Sequence, residues 1–94
     1  MELFKILFDA SITAAGAVLR RRNGYDTSKL DLDVFIPVAK RVHGRELDAI
    51  MDEWRKLADA FVGDEVIRRF VNAQAIELGE KIAEEYHDEM VWAS

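Results

Sequence analysis

Glu65–Val91 reads EVIRRFVNAQAIELGEKIAEEYHDEMV, a run with no proline and no cluster of turn residues, and its reading as one helix decides the fold. At about 1.5 Å per residue such a helix is about 40 Å long. A compact domain of 94 residues has a radius of gyration of about 12 Å and a diameter of about 32 Å. Its apolar residues Ile67, Val71, Ala75, Leu78, Ile82, Tyr86 and Met90 recur about every 3.8 residues, against about 3.6 in a straight helix, so the apolar face turns along the length. Val66 and Phe70 broaden the early part, which is expected to pack on the preceding helix. The late part, Ile82, Ala83, Tyr86, Met90 and Trp92, has no assigned partner within the chain and is predicted to be a partner-binding face. The competing cover for it is the N-terminal helix. Gly79, between the two parts, is either tolerated or marks a bend or a close backbone crossing.

Upstream, Gly63 ends one helix and Asp64 caps the next, a connection so short that the two are expected to be antiparallel neighbours. Residues 45–62 form the most amphipathic helix, with Leu47, Ile50, Met51, Trp54, Leu57, Ala58 and Phe61 at helical spacing. Gly44 is expected to separate it from a helix over 34–43, capped by Asp33 and carrying Pro37 in its first turn, where a missing N–H costs little. Asn23-Gly24-Tyr25-Asp26-Thr27-Ser28 is a loop, with Gly24 placed to end the first helix in the left-handed conformation. In residues 2–22 the polar positions Glu2, Lys5, Asp9, Thr13, Gly16 and Arg20 form one narrow stripe, opposite an arc of Leu3, Phe4, Leu7, Phe8, Ile12, Ala15 and Leu19. Lys5 and Asp9 exclude a membrane span, and the segment lacks the basic start and cleavage site of a signal peptide. The expected setting is the cytoplasm.

The fold class is therefore all-α: one helical domain over residues 1–94, with four helices at 2–22, 34–43, 45–62 and 65–91, assembled as a dimeric helical bundle. A chain of this size buries about two thirds of its extended surface, which leaves little margin, and a second copy would supply more.

Composition narrows the function. The net charge is −5 with 18 acidic against 13 basic residues, so a nucleic-acid surface is not expected. Arg20, Arg21 and Arg22 close a helix, where they complement its dipole. There is no cysteine, hence no disulfide, thiol nucleophile or thiolate metal site. Glu84-Glu85-Tyr86-His87 contains one Glu-x-x-His, a spacing used in di-iron bundles, but such a site needs a second copy and two further glutamates. Asp26, Asp31 and Asp33 do not fit a calcium loop, whose sixth and twelfth positions would fall on Asp31 and Pro37. Ser11, Ser28 and Ser94 have no nearby base or glycine elbow, and there is no phosphate-binding glycine loop. No catalytic residue, cofactor or metal is assigned.

Glu77, Glu80, Glu84 and Asp88 line one side of the last helix as an acidic ridge of roughly 17 Å. Such a row resembles a phosphate strand in charge alone, or is simply a solvated face with Lys81 set into it. Two functions follow as expectations. The first is a non-enzymatic interaction module, an adaptor or regulator, that self-associates as a homodimer through the late face of the last helix and can take a protein partner. The alternative is an acidic, DNA-mimicking inhibitor of a nucleic-acid-binding or nuclease complex. Neither binds nucleic acid directly.

Overall fold

Residues 2–60 and 63–93 are described by a computed structural model. Helix α1 spans Glu2–Asn23, α2 spans Leu32–Asp59 and α3 spans Asp64–Ala93, with a 3-10 turn at Thr27–Lys29 between the first two; the described residues contain no strand. The all-helical class expected from periodicity is found, but the described residues form three helices where four are expected. Gly44 does not break the chain. A helical glycine costs about 1 kcal/mol relative to alanine, a cost absorbed by α2's 28 residues. Phe61 and Val62, the expected end of the third segment, lie outside the described residues.

The cap also moves. Asp31, not Asp33, starts α2: its carboxylate accepts the Asp33 N–H at 3.1 Å and its carbonyl accepts from Val34 and Phe35. Asp33 then sits in the first turn, where its charge suits the positive end of the dipole. Pro37 is further inside the helix than expected. The carbonyl it leaves without a donor is that of Asp33, an exposed residue that water can serve. Gly24, at φ 69°, ends α1, and the Tyr25 N–H reaches back to the Leu19 carbonyl at 3.2 Å.

Helices α1 and α3 run in the same direction, with Ala14 and Ala15 against Gly79 in the middle and Tyr25 against His87 beyond the end of α1. Helix α2 runs the opposite way, as its contacts with α3 show: Arg41 to Glu89, Arg45 to Glu85, and Trp54 to Phe70. The α1–α3 seam is tight because its residues are small. A Cβ built on Gly79 would lie 2.5 Å from the Ala14 Cβ and 2.8 Å from the Ala15 backbone nitrogen. Gly79 therefore marks a close backbone crossing. The core joins Leu7, Ala15 and Leu19 of α1, Phe35, Val38 and Val42 of α2, and Leu78, Ile82 and Tyr86 of α3. Ser11, also buried, returns its hydroxyl to the Phe8 carbonyl at 2.7 Å.

The molecule measures 48 × 22 × 19 Å with a radius of gyration of 14.3 Å. It is a rod. The roughly 45 Å of α3 fits the long dimension, so the overhang expected from a rounder globule does not arise. None of the described helix residues makes a stretch long and apolar enough to cross a membrane.

Candidate functional site

The late face of α3 is divided by the fold. Ile82 and Tyr86 are 0% and 1% exposed, and Ala83 is equally buried. These three predicted partner-binding residues lie in the interior of a single chain, because α1 runs parallel to α3 and covers them. Met90 is half-buried against the core, and Trp92 is 89% exposed. Tyr86 packs its ring edgewise on Phe35 and Tyr25, at centroid distances of 5.4 and 5.8 Å, and its hydroxyl accepts the Asp31 N–H at 2.9 Å. It ties the start of α2 to α3.

The acidic ridge is interrupted by basic neighbours. Glu77 pairs with Lys81 at 3.7 Å and Glu80 with Arg22 at 3.7 Å. Beside the ridge, Arg45 holds Glu85 through both guanidinium nitrogens at 3.1 Å, and Arg41 reaches Glu89 at 2.7 Å. Lys81 also meets Glu46 at 3.0 Å and holds that carboxyl below its ordinary value. Glu84 and Asp88 join no ion pair among the described residues, so two of the four ridge carboxylates keep an uncompensated charge. The sequence pattern could not show this, because the arginines come from other helices.

Both histidines are occupied by packing. His87 Nδ1 lies 3.0 Å from the Tyr25 hydroxyl, with the two rings edge to face. Among the described residues no three His, Asp or Glu side chains converge on a point that would hold a metal. We expect chelation with EDTA to leave the melting temperature unchanged. A fall of several degrees would show a bound metal and return Glu84 and His87 as candidate ligands.

His43 is held between helices. Its ring stands edge-on to Phe8 at 5.2 Å, its Nδ1 is buried with no hydrogen-bond partner, and burial pushes its pKa below the ordinary 6.5. The folded state then binds fewer protons than the unfolded chain below that pH, so stability rises with pH through this window. We expect the melting temperature to fall as pH drops from 8 through 6.5 toward 5.5. His43→Gln should make that stretch flatter. Glu46 and Asp26, whose carboxyls are held low by Lys81 and by Ser28, lose their contribution only at lower pH, below their ordinary 4.5 and 3.8.

The apolar side of the most amphipathic segment is only partly covered. Leu47, Met51, Trp54 and Leu57 are partly exposed and lie outside the buried core cluster. Past Ile50 no described residue of α2 is buried, and before Val71 none of α3 is. This end of the rod is an arm in which α2 and α3 pack on each other, with Ile6 and Ala10 of α1 beside Asp64 and Ile67 of α3, and in which α2 buries no residue fully. The sequence signal for it was present in the strong amphipathicity of 45–62. What covers that face is a separate matter, on which periodicity is silent.

Comparison of the chain with protein-family models, with curated proteins and with solved structures finds no match.

Proposed function

We propose that this protein is a non-enzymatic helical interaction module, an adaptor or regulator, that works as a homodimer. The supporting observation is an area. The chain exposes 6328 Å², whereas a monomer of 10.8 kDa is expected to expose about 5,500 Å². The surplus of about 800 Å² equals what one partner contributes to an interface of standard size. Burying about 800 Å² against a second copy would bring each chain to the surface expected of a monomer of its mass.

Light scattering between low and high micromolar concentration tests this reading. We expect particles of twice 10.8 kDa and a melting temperature that rises with protein concentration. A chain that scatters at its own mass throughout the series is not a homodimer.

The acidic-inhibitor alternative rests on Glu84 and Asp88, the two ridge carboxylates outside any ion pair, and has less support than the homodimer. Salt separates the two. An acidic strip bound to a basic groove weakens steeply as the Debye length falls from about 10 Å at 0.1 M to about 3 Å at 1 M, whereas an apolar interface persists.

A further inference from the structure

We propose that two copies of α2 pair in opposite directions over Leu47, Met51, Trp54 and Leu57, joining two copies of the chain at their arms. This deepens the homodimer reading and rests on it.

The four residues fall at steps of 4, 3 and 3 and so share one side of the helix. All four are partly exposed, none of them fully buried, and none belongs to the core cluster. Trp54 meets Phe70 only obliquely, with centroids 6.4 Å apart and planes at 35°, and part of the indole stays accessible to another partner. An aromatic ring flanked by aliphatic side chains is the kind of anchor that dominates association energies.

Charge order sets the direction. Asp48, Asp52 and Glu53 precede Trp54, and Arg55 and Lys56 follow it. A parallel copy would set acid against acid and base against base. An antiparallel copy, related by a two-fold axis, sets each acidic run against the partner's basic run. Asp64 and Glu65 followed by Arg68 and Arg69 repeat the same order at the start of α3, the other helix of the arm. Among the described residues Arg55 pairs with Asp52 at 3.2 Å and Lys56 with Glu53 at 3.3 Å along their own helix, all four more than half exposed. Exposed pairs of this kind are weak and are readily exchanged for pairs across an interface.

A charge swap tests the proposal. Arg55→Glu with Lys56→Glu makes one all-acidic variant, and Asp52→Lys with Glu53→Lys makes one all-basic variant. All four side chains are exposed, and circular dichroism checks that the helices persist. Each variant alone should dissociate at least tenfold more readily than the wild type, and the equimolar mixture should return to the dimer mass. If the wild type is a dimer and both variants are equally dimeric, this surface is wrong while the homodimer stands. If both variants are monomeric and the mixture stays monomeric, antiparallel pairing is wrong. A monomeric wild type removes the homodimer and this surface with it. A second measurement needs no change in the arm. In a Trp92→Phe background Trp54 is the sole tryptophan, and its emission should move to shorter wavelength as concentration rises through the dimer transition. Emission that stays constant across that transition overturns the assignment.

Discussion

Replacing Gly79 with alanine is expected to lower stability by about 2 kcal/mol, whereas the same change at Gly44 should raise it by about 0.5–1 kcal/mol. Both glycines lie inside long helices, and alanine gains about 1 kcal/mol of helix propensity at either. Their surroundings reverse the sign. A Cβ at Gly44 meets nothing within 4 Å. At Gly79 it meets the Ala14 Cβ at 2.5 Å and the Ala15 nitrogen at 2.8 Å, neither of which can swing aside as the tip of a flexible side chain would. Relief requires α1 to move off α3 along a seam of small residues, an overpacking cost at or above the usual 1–3 kcal/mol. In urea the two variants should bracket the wild type, and on heating Gly79→Ala should melt about 8–16 °C lower. A Gly79→Ala protein as stable as the wild type would mean that α1 does not cross α3 at this point.

Tyr86→Ala should cost about 3–5 kcal/mol, the range for removing a large aromatic from a filled core. Tyr86→Phe isolates the hydroxyl. It keeps the ring against Phe35 and Tyr25 and leaves the Asp31 N–H without its acceptor, for a loss of about 1 kcal/mol. The more drastic pair, Ile82→Glu with Tyr86→Glu, distinguishes interior from interface. On a docking surface two glutamates would yield a folded, smaller particle. Within a core where these residues are 0% and 1% exposed, an unpaired carboxylate costs several kcal/mol, and we expect the helical dichroism signal to collapse. A helical monomer from that double variant would return the late face of α3 to the surface.

Helix type and extent were legible in the sequence wherever periodicity and capping agreed. The apolar repeat of 65–91 and the left-handed site at Gly24 both appear where expected. Gly44 was misread because a glycine signals a helix end only when the chain turns there, and α2 continues past it. Asp31 and Asp33 are both competent caps two residues apart, and Asp31 takes the role because Tyr86 also anchors its backbone N–H. The larger difference, the burial of Ile82, Ala83 and Tyr86, has one cause. Periodicity shows that a face is apolar and does not name the element that covers it. The direction of α1 relative to α3 is set by Ala14, Ala15 and Gly79 fitting together, a fact about two distant segments. The same gap concealed the arm, where Leu47, Met51, Trp54 and Leu57 look like core residues in sequence and remain partly exposed outside the core cluster.

The parallel seam between α1 and α3 also fixes when the protein can fold. Tyr25 and His87, at one end of that seam, are 62 residues apart in the chain, farther than the Arg45–Glu85 and Arg41–Glu89 pairs of the α2–α3 hairpin, which are separated by 40 and 48. A ribosome releases α1 before its partner α3. At about 5–20 residues per second, Ala14 emerges roughly 3 to 13 s before Gly79. Through that interval the apolar arc of α1 has no α3 to close on, and α2 alone cannot supply the small-residue seam. The α1–α3 seam cannot close until α3 has emerged, and nascent α1 is the segment that a holding chaperone would meet.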